Sequence, residues 1–307
     1  MEAAKASDAM VRRQAAEVLG RSRNPAAVPA LEGLLGDSAA IVRATACEAL
    51  GVQRSRPSVP KLSKVLTGDS DPRVRQAAAI AFVYIGDPAA TGPLIGALRD
   101  GSAPVRHAAM RALGKLRAAG AVGALASVLS DTDPSARKVA VASLGEIASK
   151  EGIPALSSAL SDTDAGVRAE AAKSLGLIAD PSAGPALTAA LKDADMGVRV
   201  QAATALAKTG DLSGLPVVYG VLKSPEAAAR QQAAAAVGLI GDAKGAAALK
   251  AARAVEKDAG VQGLMDLALV QIRARLGLSE KAPAKKIPSP KKPVKPWGKT
   301  PVKKAAR

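Results

Sequence analysis

A chain of 307 residues that is 48% hydrophobic but 1% aromatic, with a net charge of +16, one cysteine and one histidine, is an unusual composition for a globular protein. A single cysteine excludes a disulfide framework and a thiolate zinc cluster, and a single histidine leaves little for metal chemistry. Four aromatics (Phe82, Tyr84, Tyr219, Trp297) nearly exclude recognition of single strands by base stacking.

At the N-terminus, Glu2, Lys5, Asp8, Arg12 and Arg13 break up any apolar run, so no secretory signal is expected. The longest uncharged stretch, 118–130, falls well short of the roughly 20 residues that a membrane span needs. A soluble cytoplasmic protein without cofactor or metal is expected.

From Val11-Arg12 onward one phrase recurs at a period of about 31 residues. Val42-Arg43-Ala44-Thr45-Ala46-Cys47-Glu48-Ala49-Leu50-Gly51 has its counterpart in Val105-Arg106 through Leu113-Gly114, and again in Val167-Arg168 through Leu175-Gly176. The arginine row is Arg12, Arg43, Arg75, Arg106, Arg137, Arg168, Arg199 and Arg230, and Gln262 takes the ninth place without the charge. Counted from each arginine, apolar residues at −1, +3, +7 and +10 share one helical face. Position +3 is alanine in all eight arginine units, which lets neighbouring helices approach closely. A second apolar helix follows, with Leu or Val at +19 and, in Pro29, Pro60, Pro154, Pro185 and Pro216, a proline where a first turn tolerates it. Asp71-Pro72 and Asp133-Pro134 supply caps for first helices. Val261 to Leu276 is expected to close the stack with Leu264, Leu267 and Leu269 buried.

These units resemble HEAT-like repeats of the phycobilisome-lyase type over roughly residues 8–276. The resemblance implies an all-α, right-handed α-solenoid of about eight to nine helix pairs, first helices on the convex side and second helices on the concave side. At about 9–10 Å per layer it would be about 80 Å long. The division expected is a solenoid over 1–278 and a basic, disordered Lys/Pro-rich tail over 279–307.

The arginines could track a phosphate backbone or could be paired internally. A recurring aspartate stands six positions before six of them, from Arg43 to Arg199, and the resemblance implies pairing between units. The expected structural ladder is Asp37, Asp69, Asp100, Asp131, Asp162 and Asp193 with Arg43, Arg75, Arg106, Arg137, Arg168 and Arg199. His107, expected on a solvent-facing side, is followed by Ala108, so the His-Glu pairs with which the related deoxyhypusine hydroxylases hold iron are missing. Cys47 replaces a core alanine. No catalytic constellation is visible, and no catalytic or metal-binding residue is expected. The second helices offer Ser127, Ser157, Ser158 and Thr188 as a small-featured concave face for a protein partner.

The tail carries ten Lys or Arg against one Glu, while residues 1–278 carry 33 against 26. Lys285, Lys286, Lys291, Lys292, Lys295, Lys299, Lys303 and Lys304 stand among six prolines, resembling the C-terminal tails of linker histones. Such a segment suits DNA, RNA, anionic lipid or acidic protein, or serves solubility alone. The leading expectation is a non-enzymatic scaffold or adaptor whose tail tethers it to a polyanion. The alternatives are a DNA- or RNA-associated protein using the tail and the basic first repeats, and a bilin lyase or chaperone-lyase implied by the resemblance only.

Overall fold

The computed structural model describes residues 2–277; the tail lies outside the described residues. Every regular element described is helical. In chain order these are α1 (Ala9–Ser22), α2 (Val28–Leu34), α3 (Ala40–Val52), α4 (Val59–Gly68), α5 (Pro72–Ile85), α6 (Thr91–Ala97), α7 (Ala103–Lys115), α8 (Val122–Ser127) and α9 (Pro134–Ile147). There follow α10 (Ile153–Ala159), α11 (Ala165–Ile178), α12 (Gly184–Ala190), α13 (Met196–Lys208), α14 (Leu215–Val221), α15 (Ala227–Ile240), α16 (Ala243–Val255) and α17 (Ala259–Arg275). Odd-numbered helices are the first helices of the units, even-numbered ones the second.

The boundaries follow from short-range chemistry. Asp71 and Asp133 each accept the backbone N–H two residues on, at 2.8 Å, and cap α5 and α9. Asp8 caps α1 in the same way, and Asp164, Asp195 and Asp258 cap α11, α13 and α17 by accepting the N–H three residues on. The corner after a first helix falls at +11 and is left-handed at Arg23, Arg54, Gly86, Arg117, Ala148 and Ala179. Gly210, at the same place after α13, also has a positive φ, so two of these seven corners carry the glycine that such a φ favours. The first helices are three to nearly five turns long, whereas most second helices make about two turns.

The core is a column of aliphatic residues between the two layers. Position +19, from Leu31 and Leu62 to Leu249, is fully buried in every unit, as are Leu50, Phe82, Leu113 and Leu175 at +7. Truncating such a leucine to alanine typically costs about 2–5 kcal/mol. At the end of the stack, α17 buries Val261, Met265, Leu269 and Ile272, but Leu267 is 53% exposed. The expected inner side of this helix is therefore rotated: Met265, one turn after Val261, takes the place assigned to Leu267.

The two layers are spaced differently. First helices pack against their successors along their lengths. A β-carbon added to Gly51 would lie 3.0 Å from the Ala81 Cα, and one added to Gly176 would lie 3.0 Å from the Ala205 Cα. Successive second helices stay largely apart. The closest backbone approaches between units are thus made in the first-helix layer.

Candidate interaction surface

The arginine row is built into the junctions between units. Arg43 Nε and Nη2 donate to the two carboxylate oxygens of Asp69 at 2.7 and 2.8 Å, while its Nη1 donates to the backbone carbonyl of Asp37 at 2.9 Å. Each guanidinium thus grips the loop before its own helix and the carboxylate of the next unit. The aspartate preceding the arginine supplies a carbonyl, and the aspartate of the following unit supplies the charge.

Arg75 clamps Asp100, Arg137 clamps Asp162 and Arg168 clamps Asp193 in the same bidentate way, at 2.7–2.9 Å. Arg12 with Asp37 and Arg230 with Glu256 extend the row at both ends. Those two pairs were outside the expected ladder, although the step from Arg230 to Glu256 repeats that from Arg43 to Asp69. The guanidinium bonds hold Asp37, Asp69, Asp100, Asp162 and Asp193 below the usual carboxylate range, against the opposing effect of burial.

Two members of the expected ladder stand apart. Arg106 donates to the carbonyl of Asp100 at 2.9 Å, but among the described residues no ion pair joins it to Asp131, whose carboxylate accepts the Asp133 N–H at 2.8 Å and whose carbonyl accepts Arg137 Nη1 at 2.9 Å. Arg199 donates to the Asp193 and Ala194 carbonyls and meets no acid among the described residues, because Ser224 occupies the place of the next aspartate. Ser224 keeps the other role of that aspartate by accepting the Glu226 N–H at 3.2 Å.

The exposed side of the first helices is formed by positions +5 and +9. Glu17, Arg21, Thr45, Glu48 and Val52 line one depression of about 230 Å³ across α1 and α3. Arg111, Lys115, Lys138, Val139, Glu146 and Glu170 line another of about 510 Å³ across α7, α9 and α11. The same positions change most from unit to unit: +9 is Arg21, Val52, Tyr84, Lys115, Glu146, Leu177, Lys208 and Leu239. Positions −1, +3 and +7 scarcely change. The structural positions are held and one surface is free to differ, a contrast legible in the aligned units once it is known which positions face outward.

On the second helices, Ser127, Ser158 and Thr188 are exposed and Ser157 is half-buried. Ser127 Oγ donates to the Ala124 carbonyl at 2.7 Å and Thr188 Oγ1 to the Gly184 carbonyl at 2.8 Å, so both hydroxyls spend their protons on their own helices. All four residues stand on the second-helix layer.

Cys47 is fully buried, and burial pushes its thiol up to about 12, far from a nucleophile's range. His107 is partly buried rather than solvent-facing, and its Nε2 has no hydrogen-bond partner among the described residues. No cluster of three or more metal-ligating side chains occurs among the described residues, and no described helix is long and apolar enough to cross a membrane. Lys285, Lys286, Lys291, Lys292, Lys295, Lys299, Lys303 and Lys304 lie outside the described residues.

A profile of HEAT repeats matches residues 1–81, 59–131, 122–196 and 185–269. No curated protein is a significant match. Among solved structures, Escherichia coli YibA is 20% identical, covering 87% of this chain and 97% of its own, with a TM-score of 0.55. An engineered protein is 24% identical, covering 89% of this chain and 87% of its own, with a TM-score of 0.50. The complex of CpcE and CpcF of phycocyanin lyase from Nostoc sp. is 25% identical over 87% of this chain and 92% of that one. Its TM-score of 0.37 is too low for its activity to bear on this chain.

Proposed function

This chain belongs to the HEAT-repeat family, and we propose that it works as a non-enzymatic scaffold that docks a protein partner on its first-helix layer while residues 279–307 tether the assembly to a polyanion. The observation that carries the reading is the contrast within the units: apolar, alanine and clamp positions are held, and the solvent-facing +5 and +9 positions take every chemical class. A stack that keeps its shape while varying one face is suited to recognition rather than to chemistry. Shallow, open depressions on that face, without a convergent set of nucleophile, acid and base, favour the same conclusion.

The nucleic-acid alternative would use the arginine row as a phosphate track. Six of its eight guanidinium groups already bind carboxylates through Nε and Nη2, so that row has little left to offer. Any polyanion contact falls to the tail lysines. Removing residues 279–307 should leave the thermal midpoint of the stack in place and abolish retention on heparin at low salt. Unchanged retention by the truncated chain would overturn the tether, and failure of the full chain to capture any protein after nuclease treatment would overturn the scaffold reading.

A further inference from the structure

We infer that Trp297, with Pro296 before it, docks on the open side of α17 and closes the C-terminal end of the stack. The occupant is a segment of the same chain.

Every earlier unit covers the corresponding side. Position +4 is buried in all eight arginine units, from Ala16 and Cys47 to Ala234, and +8 is buried or half-buried, because the next first helix packs along it. After α17 no described helix follows. Counted from Gln262, its +8 residue is Val270, which is 59% exposed, and its +5 residue is Leu267, 53% exposed. With the exposed Gly263, Gln271 and Ala274 these residues recur at three- and four-residue steps on one side of the helix, and none of them is charged. A side left to solvent is ordinarily polar, and this one is polar at Gln271 alone.

The bases near this side are turned away or half-buried. Arg275 donates to the Gly238 and Gly241 carbonyls, Arg273 is half-buried, and Arg253 is held by Asp266 at 2.9 Å. Asp266 itself stands at +4, where the other units carry a covered apolar residue, and its side chain is 56% exposed.

The occupant follows from reach and chemistry. Residues 278–296 start where Gly277 ends α17 and span at most about 60 Å at about 3.1 Å each, against about 15 Å from Gly277 back to Leu267 along the helix. Trp297 is the chain's one tryptophan, the residue type most enriched among binding anchors, and Pro296 limits the backbone freedom lost on docking. A second copy fits less well. This side of α17 offers two large apolar residues, whereas a stable interface takes about 20–30 residues from each partner. A tethered segment meets the same side at an effective concentration of about millimolar.

The depression of about 410 Å³ lined by Leu222, Ala252 and Val255 is the rival apolar site. Its acid, Glu256, is held by Arg230, while Lys223 and Lys257 in its lining have no carboxylate partner among the described residues. Those lysines would repel Lys295 and Lys299, which stand on either side of Trp297.

Trp297 is its own probe, because the chain has no other tryptophan. In the full chain its emission should be blue-shifted, and its quenching by acrylamide several-fold weaker, relative to a synthetic peptide of residues 279–307. Both should be independent of protein concentration. Val270→Asp should return both to the peptide values with helix content by circular dichroism unchanged, and Leu267→Ser should move them part of the way. Val255→Asp should change neither. In a complementary measurement, Trp297→Ala should speed hydrogen exchange in α17 and leave α3 and α5 as they were. Peptide-like emission in the full chain, release by Val255→Asp in place of Val270→Asp, or protection that arises only as concentration rises would overturn the inference. Retention on heparin reads the tail lysines and should survive Val270→Asp, so the docking and the tether fail separately.

Discussion

At the α7–α9 junction Asp131 occupies the place of a clamping aspartate without engaging Arg106, and at the α13–α15 junction Ser224 stands where an aspartate would be. The first junction keeps its other ties. A β-carbon on Gly114 would lie 3.0 Å from the Ser143 Cα, and Lys115 reaches Glu146 across the same gap. The second junction keeps neither. Ala207 replaces the glycine that six of the other seven arginine units carry, and no ion pair crosses among the described residues. The apolar interior also divides on α13: Val198, Ala202 and Leu206 belong to the long core behind it, Val200 and Ala203 to a smaller one ahead. Register in the stack is over-determined, and a boundary between cooperative blocks arises where clamp, close approach and continuous core are withdrawn together.

Acid should erode this distinction more than any single substitution, because it reaches all the carboxylate clamps at once. The sign follows from the direction of the shifts. Asp37, Asp69, Asp100, Asp162 and Asp193 ionise below their ordinary values in the folded chain. Their contribution is complete above the unfolded value of about 3.9 and is lost as pH falls through the folded values. Glu256 is lowered in the same way, to about 2, by Arg230 and by the Asp258 N–H. Urea unfolding at stepped pH should show a falling midpoint below about pH 4. A midpoint flat from pH 5 to 2 would mean that the clamps do not stabilise the stack.

Single substitutions sharpen the contrast between clamped and unclamped junctions. Asp100→Ala leaves the mostly buried Arg75 guanidinium uncompensated and should cost about 3 kcal/mol. Asp131→Ala removes one local hydrogen bond and should cost about 1 kcal/mol or less. Equal losses, measured from denaturant midpoints at constant slope, would erase the difference between these junctions. Close approach has its own probe in Gly145, whose added β-carbon would meet Ser174 Oγ at 2.5 Å and the Ser174 Cα at 2.9 Å. The serine cannot swing away without giving up its 3.0 Å bond to the Val141 carbonyl. Overpacking of about 1–3 kcal/mol should outweigh the roughly 1 kcal/mol of helix propensity gained by Gly145→Ala, so thermal unfolding should move down. A rise would show that α9 and α11 separate freely.

The helix pairs, their caps and the buried rows were legible because each rests on a short-range rule repeated once in every unit. Asp71 and Leu62 do what their spacing predicts. Whether a particular clamp closes was not legible: Asp131 has the right identity and spacing and still stands apart from Arg106, because the last short distance between two side chains is set by three-dimensional packing. The absence of a clamp at Arg199 could be seen in Ser224, provided that the step forward to the next unit, rather than the short step back, is taken as the pairing distance. Which layer makes the closest approaches was not legible either. It depends on Gly51 and Ala81 meeting across units while second helices remain apart, a relation between elements that periodicity within a unit does not contain. The exposed row containing Val52 and Tyr84 was passed over because variation among units reads as noise until burial shows which positions are free to vary.

The smallest effect expected is also the one that addresses the α13–α15 boundary directly. Ser224→Asp keeps the acceptor for the Glu226 N–H and adds a carboxylate at the clamp spacing from Arg199, whose Nη1 already holds the Asp193 carbonyl at 2.7 Å. In the wild-type chain the loop bonds of Arg199 and the Ser224 turn are in place, and the acid is what the junction lacks. A pair at this depth should contribute about 1 kcal/mol, since part of the attraction is spent in desolvating the new charge. The global midpoint should scarcely move, because the longer core is already the more stable block. The gain should be seen in hydrogen exchange, with amides of α15 and α17 slowed by about fivefold and those of α3 and α5 unchanged. Uniform slowing along the chain would mean that the stack opens as one body and that the divided core on α13 is no boundary.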